Sequence, residues 1–255
     1  MFQAISLADE LGLEPADDVE LTTDPALPFA SSTNLAMRAA LLLRERAGVQ
    51  AGARLRLRKR VPLAAGLGGG SADAAAALFG LRRLWNLGGL DLTALAEALG
   101  SDVPYFLHSA TVLVRGRGER LQDLPPLPAR GVVLMRPPVA LPTGEVFANL
   151  RPEEWTDGGA TLALAAALAT GDPLPAALPP NTLLAAAERC CPPLAALHAA
   201  LTAAGWRPAL SGSGPTLFLF PNSNAEAAAM QRAARRLGAQ SWRCRTIRRP
   251  PLSYT

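Results

Sequence analysis

Lysine is almost missing from this chain of 255 residues: Lys59 is the only one, and arginine supplies the rest of the 25 basic residues. Genomic base composition produces such a bias, so it is no nucleic-acid signature. Histidine and cysteine are scarce as well, at two and three residues. Cys190 and Cys191 are adjacent, and with Cys244 they form neither a disulfide framework nor a metal-ligand spacing. His108 and His198 are too few for a metal cluster and lie in no motif, which leaves them as ordinary structural residues. No apolar stretch reaches the ~20 residues of a membrane span. The Ala-rich run from Thr161 to Thr170 is too short and is flanked by Gly and Asp. Met1 to Leu13 carries Asp9 and Glu10 and lacks the basic start of a signal peptide. The expectation is a reduced, cytoplasmic protein without membrane or nucleic-acid partners.

What is present is an ordinary globular balance, 49% hydrophobic and 18% charged, with a net charge of +4. The densest basic run, Arg54-Leu-Arg-Leu-Arg-Lys-Arg60, alternates with apolar residues as a strand with one wet face does. No aromatic residue interleaves with it, which favours a solvated strand face over a nucleic-acid patch.

The periodicities predict an α+β chain. Phe2 to Leu11 reads as the end of a strand running into an acidic turn, and Val19 to Thr23 as a short strand. A helix follows over Asn34 to Ala47, with Thr33 or Asn34 as its N-cap. Then come a strand over Arg54 to Val61, a glycine-rich loop, and helices over Ser71 to Leu84 and Leu92 to Leu99. Asp102 to Phe106 is a short ordered segment, and Ala110 to Arg115 a strand. Pro125 to Pro128 is the best linker, so the spacing predicts domains over 1–130 and 131–255. The second half predicts a strand over Gly131 to Arg136 and a helix from Thr143 to Ala148. Two or three helices follow between Thr161 and Ala204, then a strand over Thr216 to Phe220. A helix over Ala225 to Leu237 and a strand over Trp242 to Arg248 complete it.

The strongest chemical feature is Pro62-Leu63-Ala64-Ala65-Gly66-Leu67-Gly68-Gly69-Gly70-Ser71-Ala72-Asp73, set between a strand and a helix. Four glycines around one leucine let backbone approach a ligand and adopt positive φ. The loop ends at a helix N-terminus, where free N–H groups and the helix dipole favour a polyphosphate. The Ser71 hydroxyl can reach a phosphate or its magnesium. No Gly-Lys-Ser/Thr is present, so this is not a Walker A motif. The third glycine of a dinucleotide fingerprint is lacking too.

That segment resembles the second motif of the GHMP kinases, in the triple-glycine form typical of the diphosphocytidyl-methylerythritol kinases. Asn34-Leu-Ala-Met-Arg-Ala-Ala40 resembles the family's Asn-Leu-x-x-Arg-Ala helix start. Gly100-Ser-Asp-Val-Pro-Tyr-Phe-Leu107 resembles its Gly-Ala-Asp-Val-Pro segment, and Leu210-Ser-Gly-Ser-Gly-Pro-Thr216 its third motif. Asn181-Thr-Leu-Leu fits a family helix opening, so the likeness spans nearly the whole chain. It implies a two-domain GHMP kinase fold, with a ribosomal protein S5 domain 2-like first domain lacking its first strand, and a ferredoxin-like second domain. It implies ATP and Mg2+ as cofactors and a small-molecule substrate, 4-diphosphocytidyl-2-C-methyl-D-erythritol, phosphorylated on its 2-hydroxyl. A monomer or weak homodimer is expected.

Residue by residue, the resemblance makes Asp102 the catalytic aspartate, although alone it would read as a turn or cap residue. It places Pro62 to Ala72 on the ATP phosphates, Asn34 by the adenine and Lys59 near the nucleotide. Without the resemblance, Lys59 would read as a solvated strand-end charge. Thr143, Phe147, Gly212 and Ser213 fall near the substrate; Phe147 alone would read as core packing and the Gly212 loop as a plain turn. No metal ligand is assigned. The family opens with a strand whose lysine pairs with the catalytic aspartate, and Met1 to Asp9 corresponds to residues after it. A start codon called too far downstream would leave a full-length enzyme in the cell. If the chain truly begins here, slow or no turnover, poor substrate binding and low solubility or loosened stability are expected, and equal ATP consumption by this chain and one extended upstream would contradict that. Homoserine kinase is the alternative within the family. A catalytically silent nucleotide-binding protein and an RNA-binding module are the alternatives outside it.

Overall fold

The computed structural model describes residues 1–175 and 178–248. The chain divides into two compact units. One holds Met1–Pro62 and Gly68–Pro126 together with Ile247 and Arg248, and the other holds Leu63–Leu67 and Leu127–Thr246.

The first unit is built on strands β1 (Phe2–Gln3), β2 (Glu10–Ala16), β3 (Val19–Asp24), β4 (Gly52–Arg58), β5 (Thr111–Arg115) and β6 (Arg120–Asp123). Its helices are α1 (Leu35–Ala47), α2 (Gly69–Leu84) and α3 (Thr93–Leu99). One sheet has the order β2–β4–β3, with β2 antiparallel and β3 parallel to β4. A second, antiparallel sheet runs β1–β5–β6.

Strand β4 shows why its alternation matters. Ala53, Leu55 and Leu57 point into the core and are buried. The arginines between them face outward and meet glutamates: Arg54 with Glu20 at 3.0 Å, Arg56 with Glu14 at 3.1 Å and Arg58 with Glu10 at 3.7 Å. The basic run is thus a charge-matched cross-strand ladder.

Helices α1 and α2 pack together through small residues. Ala36, Ala39, Ala40 and Leu43 of α1 and Ala74, Ala75, Ala77, Leu78 and Leu81 of α2 are fully buried in one cluster. Alanine at these positions lets the helices approach closely. Asn34 caps α1, its Oδ1 accepting from the Ala36 N–H at 2.9 Å. Gly48 ends the helix in the left-handed conformation.

The second unit carries strands β7 (Gly131–Arg136), β8 (Ala209–Leu210), β9 (Leu217–Leu219) and β10 (Gln240–Arg245). Its helices are α4 (Thr143–Ala148), α5 (Gly159–Ala169), α6 (Leu184–Cys190), α7 (Pro192–Ala203) and α8 (Asn224–Arg236). The sheet order is β10–β7–β9–β8, antiparallel throughout. Counting this unit's own strands, that is fourth, first, third, second: the ferredoxin-like arrangement. Met135, Leu194, Leu197, Leu201, Leu217 and Met230 fill its core. Among the described residues no helix is long and apolar enough to cross a membrane.

Two expectations are corrected. The strand expected over Phe2 to Leu11 is instead β1 ending at Gln3 and β2 beginning at Glu10. The exposed–half-buried alternation along β2 contains a proline and two glutamates, which disguises a strand. Strand β6 was not foreseen, because its four residues carry only one apolar side chain.

Candidate functional site

In the first unit the open start of α2 dominates. Gly68 precedes the helix with φ of 69°, and no side chain caps it. The first intrahelical bond is from the Ala72 N–H to the Gly68 carbonyl at 2.9 Å. The N–H groups of Gly69, Gly70 and Ser71 therefore precede the helical ladder and lack partners in it. Gly70 is exposed and Ser71 half-buried.

Glycine serves different ends along this loop. A Cβ on Gly66 would fall 2.4 Å from the Ser211 carbonyl oxygen and 2.7 Å from that of Gly214, so close backbone approach within the second unit demands its bareness. At Gly70 a Cβ would meet only Leu35 Cδ1 at 3.5 Å, an ordinary contact, and φ is not positive. Packing within the chain leaves the bareness of Gly70 unexplained. Elsewhere in the loop Ala65 is buried and Leu67 half-buried, while Leu63 is exposed and its carbonyl accepts from Arg136 Nη2 at 3.1 Å. Ala64 is exposed with φ of 48°.

Asp102 lies just before a 3-10 turn, Pro104–Leu107, that packs on α2. Val103 is buried in the main core, and the Tyr105 hydroxyl donates to the Ala110 carbonyl at 3.0 Å. The Phe106 ring stands against Gly68, with Cζ 3.0 Å from the point where a Cβ would sit. These contacts bring the Asp102 segment to the start of α2 within one unit. The Asp102 side chain remains accessible, yet the protein around it desolvates the carboxyl and raises its pKa. Among the described residues no cation pairs with it.

Lys59 is elsewhere engaged. Its side chain is 6% exposed, and its ammonium bonds Asp9 Oδ2 at 2.5 Å and Asp73 Oδ2 at 2.6 Å. The reading of Lys59 as a solvated strand-end charge is corrected: it is an interior ion pair, 3.5 Å from where a Gly69 Cβ would be. Burial pushes the Asp73 carboxyl up to about 7, against the pull of Lys59 and with the neighbouring Asp9 raising it further. Sequence reasoning missed Asp9 and Asp73 as site-supporting residues. Asp9 sits far away in the chain, and Asp73 reads as an ordinary first-turn acid. The Asn34 side-chain oxygen is occupied by its cap, which leaves its Nδ2 for other partners.

In the second unit Thr143 Oγ1 and Ser213 Oγ are 2.9 Å apart. Ser213 is buried, whereas Thr143 opens α4 at the surface. Phe147, on the same helix, is 53% exposed, and Val146 provides the apolar anchor instead. The core-packing reading of Phe147 is thereby corrected. The Gly212 loop is more than a plain turn. Asn181 Nδ2 donates to the carbonyls of Leu210 at 3.0 Å and Gly212 at 2.8 Å, and Ser211 Oγ donates to that of Gly66 at 2.8 Å. Asn181 was noticed only as part of a helix opening; its clamp on this loop depends on tertiary contact.

An accessible carboxylate on a segment packed against an uncapped, glycine-lined helix start, in a chain with a separate ferredoxin-like unit, fits the class of two-domain small-molecule kinases. The family profile described as GHMP kinases N terminal domain matches residues 34–110, and that described as GHMP kinases C terminal matches 164–240. A 4-diphosphocytidyl-2-C-methyl-D-erythritol kinase of Pelotomaculum thermopropionicum is 44% identical over 224 residues, 86% of this chain and 78% of the relative. One from Symbiobacterium thermophilum is 40% identical over 95% of this chain and 88% of its own. Among solved structures, a 4-(cytidine 5'-diphospho)-2C-methyl-D-erythritol kinase has a TM-score of 0.76 at 37% identity, covering 95% of this chain and 87% of that one. A homoserine kinase from Cytophaga hutchinsonii, with a TM-score of 0.71 at 22% identity over 95% of this chain and 86% of that one, shares the fold. The chain belongs to the 4-diphosphocytidyl-2-C-methyl-D-erythritol kinase family of the GHMP kinases.

Proposed function

We propose that this chain transfers the γ-phosphoryl group of ATP to the 2-hydroxyl of 4-diphosphocytidyl-2-C-methyl-D-erythritol, in the non-mevalonate route to isoprenoid precursors. The observation that carries the reading is the open start of α2, a 16-residue helix with no cap and a bare Gly70. A polyphosphate supplies acceptors for its free N–H groups, and the helix dipole attracts the charge. Mg2+ would be held mainly by the phosphates, with Ser71 Oγ as the nearest hydroxyl on the helix start.

Asp102 takes or orients the proton of the attacking hydroxyl. Desolvation makes its carboxylate a stronger proton acceptor, which suits that task. Phosphoryl transfer otherwise rests on positioning and charge stabilisation. Asn34 Nδ2 is available for the adenine. Thr143, Phe147, Gly212 and Ser213 hold the second substrate, and the exposed Phe147 ring offers a face for a base. The protein works in the cytoplasm as a monomer or weak homodimer on a small molecule, not on nucleic acid.

A second reading, nucleotide binding without turnover, is favoured by the absence of a cation beside Asp102 among the described residues. Asp102→Ala separates the two. Under the kinase reading, ATP-dependent phosphorylation falls about a hundredfold or more while ATP affinity stays within about twofold. A wild-type chain that binds ATP but phosphorylates neither this alcohol nor homoserine supports the silent reading instead.

A further inference from the structure

We infer that Asp9, Lys59 and Asp73 form a buried clamp that fixes both ends of the nucleotide loop, and that Lys59 is a positioning residue rather than a nucleotide ligand. The inference rests on the reading of the α2 start as the phosphate site.

The geometry is specific. Asp9, between β1 and β2, directs one carboxylate oxygen at the backbone where β4 runs into the loop: Oδ1 accepts from the N–H groups of Arg60 at 2.5 Å and Val61 at 2.9 Å. Its other oxygen accepts from Lys59 Nζ at 2.5 Å. The same ammonium reaches Asp73 Oδ2 at 2.6 Å, on α2 one turn in from its start, just past the loop. One lysine thus ties the residues before Pro62 to the helix whose free N–H groups face the ligand. All three side chains are at most 6% exposed.

Burial gives the clamp its stiffness. A lysine and two aspartates shielded from water cannot exchange partners with solvent, and each holds the others in place. Packing reinforces it: Val61 Cγ1 would stand 2.9 Å from a Cβ on Gly69, so the strand exit and helix start are in contact at backbone range. The Lys59 ammonium is already engaged by two carboxyl groups. Its role toward a phosphate is therefore to hold amides, not to pair with oxygens.

The test compares wild type, Lys59→Met and Asp73→Asn by amide exchange of the peptide 60–72 and by calorimetric titration of ATP with Mg2+. In Lys59→Met, exchange in 60–72 should rise on the order of tenfold more than in α8, and ATP affinity should fall on the order of tenfold. Asp73→Asn keeps an oxygen that accepts from the ammonium, so it should lose less than Lys59→Met in both readouts. Exchange that is unchanged in 60–72, or that rises equally in α8, overturns the clamp and leaves only general stability. Local loosening without loss of affinity overturns the positioning role. Should Lys59→Met not fold, Asp9→Asn carries the same comparison. A wild type that binds no ATP refutes the phosphate site, while the exchange measurement still judges the clamp.

Discussion

Strand β4 carries two kinds of ion pair a few residues apart. Along its outer face Arg54, Arg56 and Arg58 meet Glu20, Glu14 and Glu10 in water, with side chains between 42% and 60% exposed. Just past its end Lys59 meets Asp9 and Asp73 away from water. The chemistry is the same and the surroundings differ. In the exposed ladder solvent screens each attraction, and a lost partner is replaced by hydration. At Lys59 a lost partner leaves an uncompensated charge in the interior, so the penalty is set by desolvation. Surface pairs on this strand set solubility and register; the interior pair holds the loop.

The largest expected effect comes from removing the shared cation. Lys59→Met should lower stability by about 3–5 kcal/mol, because two carboxylates remain buried beside one another. Urea denaturation at neutral pH checks it, and a loss no greater than that of Arg56→Ala would erase the distinction between the two pair types.

Next in size is the pH dependence that Asp73 confers. Its folded-state pKa of about 7 lies above the ordinary 3.8. Between about 4 and about 7 the folded state therefore holds a proton that the unfolded chain has released, and stability falls as pH rises through that window. Asp102, also raised, contributes a slope of the same sign. Asp73→Asn should flatten the decline relative to wild type, as read from melting temperature against pH; parallel profiles would contradict the assignment.

The smallest effect belongs to the ladder. A double-mutant cycle on Arg56 and Glu14 should give a coupling between zero and about 1 kcal/mol, fading at high salt. A larger, salt-resistant coupling would show that exposure does not govern these pairs.

Much of the framework could be read without coordinates. Helix α1 with its Asn34 cap, α2, α4, α8 and strands β3, β7 and β9 all follow from periodicity and punctuation within a few residues. Their signals are local. Strands β2 and β6 lacked such a signal, since their pairing is supplied by β4 and β5 rather than by their own alternation. The same division holds at the site. The glycine run announces itself by residue type and spacing, whereas Asp102 stands out only through the resemblance to the family's motif. Phe147 could be core or surface on sequence grounds, and only the burial of Val146 beside it decides.

The sequence by itself determined the glycine-rich helix start and the order of motifs around it, because backbone freedom and helix termini are written in short stretches of chain. Tertiary structure alone decided what Lys59 touches and which glycines are bare for backbone contact rather than for a ligand. Those outcomes depend on residues separated by tens to more than a hundred positions, and on how much water their meeting excludes.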